Sequence, residues 1–508
     1  MDLSNLHVAI AAGDPEYPKR APFDPPVPYP ELPYASNLDR ANKVYPLVRE
    51  AMRLLGMDTT HFGSASWNPL GEIVAPGDCV LIKPNFVLDR NYGGGPVEAV
   101  ITHASVLRAI SDYVLIALKR KGELIIGDAP QMNCQWSELL QANGIGALGE
   151  HLAQACANLR IRFSLIDFRM EETEFRFAVV WKRRRLMPAE DRTVQVTLGK
   201  KSMMEEIDAS RLYGADYDRR QIVRAHEEHR HEYRIARQVL AADVVLSVPK
   251  LKVHSKVGTT LNIKNMVGIN TDKNHLAHYR IGPRSKGGDE FSHPAWDDLF
   301  ERWLSDTLLG RMWRVGKYPF VVWRAFRALL RKLFPTETHS FVLGNWFGND
   351  TAWRMALDLN RILLTCDKEG KVCDSVERKY FSFIDGIVGG QGNGPLAPDA
   401  YPSGVILAGS NPLAVDWVAT RLMGLDPRKI PMYARAPQQM CEWLPNLDIG
   451  NVEVNSNRAE WNCLLHNSES IFRFATAPGW RGQIESYALP QGPKDGPEMV
   501  ESGVVNLL

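Results

Sequence analysis

Lys250, Lys252, His254 and Lys256 occupy every second position of the run PKLKVHSK, and Lys264, Lys273, His275, His278 and Arg280 follow shortly after. In an extended chain the first four share one face. Thr259, Thr260, Asn262 and Asn265 stand among them with Gly258 and Gly268, and from Lys250 to Arg280 Asp272 is the only acid. Ammonium groups interleaved with hydroxyls, amides and glycine N–H groups are the mixture that binds phosphates and carboxylates. A solvated basic edge would also carry such a run, and both readings stand at this point. In the first, Lys250, Lys252 and Lys264 hold the anion with Thr259 and Asn265, and His254 or His275 transfers protons. A lysine buried among cations has a lowered pKa and can act as base or nucleophile. His275 and His278, three apart, would share a helical face; with His254 or a carboxylate they would take a divalent metal. The alternative is that they hydrogen-bond to the substrate.

Other candidates lie at the ends of expected strands: Lys83 and Asn85 after VLI, Asp128 after IIG, and Asp385 in FIDG. Asp128 and Asp385 suit a second acid–base group or a cation ligand, and Asp416, inside the helical pattern NPLAVDWVAT, needs a partner. Two glycine-rich segments read as turns, Asn91–Ala99 and Asp385–Pro395; in the second, Gly392 and Gly394 would bring backbone amides to a ligand. Neither segment matches GxxxxGK[ST] or a well-placed GxGxxG, and no GxSxG is present, which disfavours a P-loop, a standard dinucleotide site and an esterase-type nucleophile. His226, His229 and His231 stand among Glu and Arg and read as a solvated helix face.

The elements that must position these residues alternate. Residues 5–13 read as a first strand, 42–57 as a helix, 78–84 as a strand, 102–122 as a helix and 123–130 as the next strand. Asp243–Val248 is a strand leading into the lysine run, and two more strands and a helix follow after Ala352. Continuous apolar strands alternating with amphipathic helices predict an α/β fold, mostly parallel sheets with flanking helices, arranged as two lobes around a cleft. The expected divisions are 1–77, 78–285 with the lysine–histidine segment, a basic helical insertion at 286–350, a second α/β part at 351–445, and a tail at 446–508. Ligands of such sheets sit beyond the carboxyl ends of the strands, where the polar candidates fall.

The chain has 508 residues and a net charge of +1. Near neutrality argues against a nucleic-acid partner, which would need a phosphate-facing basic excess, and leaves a small anionic metabolite as the expected partner. Seven cysteines, none spaced CxxC, predict neither a disulfide framework nor an iron–sulfur cluster. The N-terminus lacks the pattern of a signal peptide, and no apolar run is long enough to span a bilayer, so a cytoplasmic location is expected. One segment qualifies this. Residues 307–336 contain no Asp or Glu but carry Arg311, Arg314, Lys317, Arg324, Arg327, Arg331 and Lys332 among aromatic and aliphatic residues. That composition suits an amphipathic helix at an anionic membrane face, or a helix packed on the protein or a second subunit with its basic side in water.

The blocks VLIKPNFV (80–87), THASVLRAI (102–110) leading to IIGDAP (125–130), DVVLSVPKLKVHSKVGTTLNIKNMVG (243–268), FIDGIVGGQGNGP (383–395) and LAGSNPLAVDWVATRLMG (407–424) resemble the domain-of-unknown-function 362 family. The resemblance implies an α/β fold with signature residues at strand ends. Some members carry ferredoxin-like modules, whose cysteines this chain lacks. A fainter similarity, in architecture alone, is to lactate-racemase-type proteins, which place lysine and histidine around a nickel-bearing cofactor. The leading expectation is an enzyme acting on a carboxylated or phosphorylated metabolite. The rivals are a membrane-associated ligand-binding or assembly factor, and a metal- or organometallic-cofactor enzyme.

Overall fold

The protein is seen in a computed structural model that describes residues 3–32, 37–177, 179–186, 192–214, 219–294, 296–333, 341–440, 442, 448–467 and 470–489. Its centre is one ten-stranded sheet. The strands are β1 (His7–Ala12), β2 (Cys79–Pro84), β3 (Glu123–Asp128), β4 (Arg162–Asp167), β5 (Val244–Val248), β6 (Lys250–His254), β7 (Gly258–Thr259), β8 (Lys379–Asn393), β9 (Ala397–Gly409) and β10 (Glu453–Ser456). The order is β10-β1-β9-β8-β5-β2-β3-β4, with β6 parallel to the end of β8 and β7 antiparallel to β6. Along the main order only β9 runs against the rest.

Why these segments are central strands is visible in their alternation. Val80, Ile82, Leu124, Ile126, Val244 and Leu246 point into a core shared with α1 (Val44–Leu54), α2 (Ala104–Leu118) and α3 (Ile145–Leu159). Their neighbours Leu81, Ile125 and Val245 point the other way, into a core that holds α7 (Ala352–Thr365) and α8 (Pro412–Leu422). With both faces covered, every position must be apolar, hence the unbroken runs. The two expected α/β stretches join in one sheet through the parallel pairing of β5 with β8. From the β2–β5 pair the chain turns outward in both directions, so the pair is a topological switch point.

Most of the glycine-rich segment from Asp385 is strand rather than turn. β8 continues to Asn393 past a register shift between Gly386 and Val388, the turn into β9 begins at Gly394, and the glycines admit close neighbours: a Cβ on Gly390 would lie 2.6 Å from Ala99 O, and one on Gly394 would lie 2.2 Å from Val253 O. After β7, the short helix α4 (Leu261–Asn265) begins against α8. Asp416, inside α8, accepts from the backbone N–H groups of Asn262 (2.8 Å) and Ile263 (2.9 Å) and from Asn262 Nδ2 (2.9 Å). Its burial pushes the carboxyl up to about 7.

The insertion forms α5 (Trp296–Leu304), a π-helical turn at Ser305–Leu309 and α6 (Trp313–Leu333); residues 334–336 of the expected helix lie outside the described residues. These helices meet the hairpin Glu171–Arg176/Val179–Arg185 through a small separate core of Val179, Leu309 and Phe320. Their basic residues divide between two sides, with Arg311, Arg314 and Lys332 exposed. Arg327 turns inward, 2.7 Å from Asp297 and paired with Asp298 and Glu301, while Trp303 is 59% and Val322 70% exposed.

Candidate functional site

Lys83 is the last residue but one of β2 and Asp128 the last of β3, and the parallel register brings them together. Lys83 Nζ lies 2.8 Å from Asp128 Oδ1, with both side chains buried. Asp128 also accepts from Phe86 N (2.7 Å) and Ala129 N (2.8 Å), and Lys83 donates to Pro84 O (2.6 Å) and Asn265 Oδ1 (3.1 Å). Gly268 lies against the pair: a Cβ there would sit 1.8 Å from Asp128 Oδ1 and 2.7 Å from Lys83 Nζ. Gly268→Ala is therefore expected to destabilise by about 1–3 kcal/mol, the usual cost of overpacking. Chemical denaturation measures it, and an unchanged midpoint would mean that the loop yields.

A second buried pair stands apart. Lys250 Nζ is 3.1 Å from Asp385 Oδ2 and donates to Tyr17 Oη at 2.5 Å. Tyr17 in turn donates to Asp385 Oδ1 at 2.6 Å, and His103 N donates to Asp385 Oδ2 at 2.9 Å. Neither Lys250 nor Asp385 lines the cavity that gathers the other candidates. The period-two run thus divides: Lys250 is held by Asp385, and Lys252, His254 and Lys256 face the cavity.

That cavity, of about 270 Å³, opens beyond the carboxyl ends of β2 and β3 and runs toward the insertion. At the sheet end it is walled by Asn85, Asp128, Lys252, Lys264, Asn265 and Lys273. Lys252 donates to two carbonyls, Val100 O (2.5 Å) and Pro395 O (3.2 Å). Burial, then the charges of Lys250 and Lys264, hold it well below the usual lysine range. Lys264, only 7% exposed, lines the cavity with no carboxylate paired to it among the described residues. Burial, then the neighbouring Lys256, lowers it to about 7. Lys273 donates to Ala129 O at 2.6 Å, and Lys256 to Asn345 Oδ1 at 2.9 Å; burial brings both to about 7. Around these cations Asn85 Oδ1, Thr173 Oγ1 and Thr260 Oγ1 are buried on the cavity wall without hydrogen-bond partners among the described residues. Buried polar atoms are rarely left so. Leu261, next to Thr260, holds a φ of +33°, strained for a branched side chain.

Two histidines complete the wall. His254 Nδ1 accepts from Lys256 N at 3.0 Å, which places the proton of the neutral ring on Nε2. His278 Nδ1 donates to Leu276 O at 3.0 Å, which leaves its Nε2 as the acceptor. Burial, then Lys264 and Lys256, holds both well below the usual histidine range. One ring thus offers an N–H and the other a lone pair.

The remaining sequence candidates lie elsewhere. His275 ends a 3₁₀ turn, with Nδ1 on Glu232 O at 3.1 Å, and does not line the cavity. It shares no helical face with His278, because that single turn ends before His278. No group of three His, Cys, Asp or Glu side chains is placed to hold a metal ion among the described residues. Thr259 bonds to Tyr433 Oη at 2.7 Å, and Gly392 and Gly394 sit in and just after β8, away from the cavity. His226 and His231 are buried rather than solvated: His226 bonds to His275 O at 3.0 Å and His231 to Glu205 at 3.0 Å. Sequence reasoning left out Thr173, Thr260, Lys256 and Lys273 as site residues. The last three stand in the lysine run, where their spacing was a usable signal; Thr173, on a hairpin outside the main sheet, left none.

Residues 185–421 match the model of the family described as domain of unknown function (DUF362), a stretch that includes α4 and most of the site. A thylakoid-associated protein of Synechocystis sp. is 22% identical over 368 residues, which cover 72% of this chain and 69% of that protein. No solved structure matches. Among the described residues no helix is long and apolar enough to cross a membrane.

Proposed function

We propose that the chain is an enzyme that binds an anionic substrate against Lys252, Lys264 and Lys273 and moves a proton beside it, with His278 Nε2 accepting and His254 Nε2–H donating. Lys264 carries the reading: a buried ammonium with no counter-charge is costly, and a bound phosphate or carboxylate removes the cost. The orphan oxygens of Thr173 and Thr260 suit a ligand with hydroxyl or protonated groups. The neutral histidines suit base and donor roles near neutral pH. The probes are phosphate, pyrophosphate and citrate. At least one is expected to raise the thermal midpoint, and to do so more at pH 6 than at pH 8, because lysines near 7 take up protons as the pH falls. Lys264→Met should abolish the rise. A midpoint that no anion moves would overturn the reading.

A second reading concerns location, and the outward apolar stripe of α5–α6 favours it: peripheral attachment at the anionic inner face of a membrane. The thylakoid association in the name of the Synechocystis relative supports it.

A further inference from the structure

We infer that the substrate is an amphiphilic anion, a lipid whose phosphate or carboxylate head enters this cavity from a membrane on which α5 and α6 lie; the inference rests on the anion-binding reading above. The cavity has two unlike ends. Lys252, Lys264 and Lys273 stand at the sheet end, whereas Phe175 and Val180 of the hairpin, Phe320 of α6 and Leu343 line the part toward the insertion. Charges on the roof are already satisfied, since Arg302 pairs with Glu290 and Arg327 with three carboxylates. Among the described residues the cations without a carboxylate partner stand at the sheet end, and the passage to them combines these apolar side chains with charges that are already paired. A free, fully hydrated metabolite has no use for such a passage; an acyl or prenyl chain trailing an anionic head does.

The roof's outer side shows where that chain comes from. Trp296, Leu299, Phe300 and Trp303 follow one another at helical spacing and are all exposed, and on α6 Val315, Tyr318, Val322, Phe326, Leu329 and Leu333 continue the stripe. A helix bound for water carries its apolar stripe inward, and here it points out. Contiguous exposed apolar surface of this kind marks a membrane or partner contact. Charge complementarity selects the membrane. From Thr307 to Leu333 there is no acid, and Arg311, Arg314 and Lys332 are exposed at the margins of the stripe, where anionic headgroups would meet them. Tryptophan and tyrosine are the residues that favour the bilayer interface. At about 270 Å³ the cavity is smaller than the usual ligand pocket. It suits a head and the first part of a chain, the remainder staying with the bilayer.

Flotation and native mass spectrometry of the full chain test this together. With vesicles of phosphatidylglycerol and phosphatidylcholine, the protein is expected to float and then to retain one phosphatidylglycerol per chain. Pure phosphatidylcholine vesicles should leave it behind. Lys264→Met should float as before and retain no lipid. Trp303→Ser/Val322→Ser should lose flotation at least tenfold and still show the anion-induced rise in thermal midpoint. Wild type that responds to pyrophosphate but retains no lipid would overturn the inference and leave the anion site standing. Loss of both responses would overturn both. Light scattering that shows a dimer dissolved by Trp303→Ser/Val322→Ser would make the stripe a subunit interface, and the inference would fall.

Discussion

Asp128→Asn is expected to cost about 3–5 kcal/mol of stability, the typical penalty for stranding one member of a buried ion pair. Lys83 would keep its charge with only Pro84 O and the side chain of Asn265 to face it. Its ammonium is already pressed below the usual lysine range by burial, and Asp128 supplies the opposing pull. Lys83→Met should cost less, because Asp128 keeps the N–H groups of Phe86 and Ala129. The double variant Lys83→Met/Asp128→Asn should recover much of the loss, since it buries no charge. Urea denaturation of the four proteins forms a double-mutant cycle, whose coupling energy should exceed about 1 kcal/mol. Additive single effects would mean that the pair contributes nothing beyond its separate packing.

Lys264→Met has the opposite sign. Removing an uncompensated buried ammonium is expected to stabilise the ligand-free protein at pH 7 and below, while abolishing its response to anions. The pH dependence follows from the direction of the shift. Folded, Lys264 titrates at about 7; unfolded, it returns to about 10.4. Between those values the unfolded chain binds the extra proton, so stability rises with pH, by up to about 1.4 kcal/mol per unit for this group. Below 7 both states are charged and the penalty is complete. Above about 10.4 both are neutral and the penalty is gone. Lys256 and Lys273 add slopes of the same sign. In denaturation curves from pH 6 to 9, the variant should therefore climb less steeply than the wild type. A saturating anion should flatten the wild type too, by pairing with the ammoniums and raising their pKa. A variant that is less stable throughout and keeps the full slope would assign Lys264 a structural task.

How far the sequence could reach depended on whether a residue's partner was local. The parallel strands were legible because burial on both faces leaves a one-dimensional signature, as in VLIKP and VVLSV. Lys83, Asp128, Lys252, Lys264 and Asn265 were legible as a set because each follows the end of a strand or stands in the lysine run. Lys250 and Asp385 looked equivalent to them, and only the third dimension, where Tyr17 and His103 close around them, takes them out of the cavity. The glycines after Asp385 read as a turn because φ/ψ freedom and close strand packing demand the same residue. Which face of 307–336 would point outward could not be read at all. That depends on Asp297, Asp298 and Glu301 of a neighbouring helix drawing Arg327 inward.

The single reversed strand has a consequence for how the chain is made. β1, made before every other strand of this sheet, pairs among the described residues with β9 and β10 alone: Ala9 pairs with Ala408 and with Asn455. At roughly 5–20 residues per second, translation keeps that edge waiting for tens of seconds, while β2 and β3 need only the helix between them. The αβ half around β2–β4 is thus ready early, and His7–Ala12 stays an unpaired apolar strand until Ala397–Gly409 has been made. During synthesis that segment is where a chaperone would be most needed, and truncation before Ala397 would leave it permanently without a neighbour.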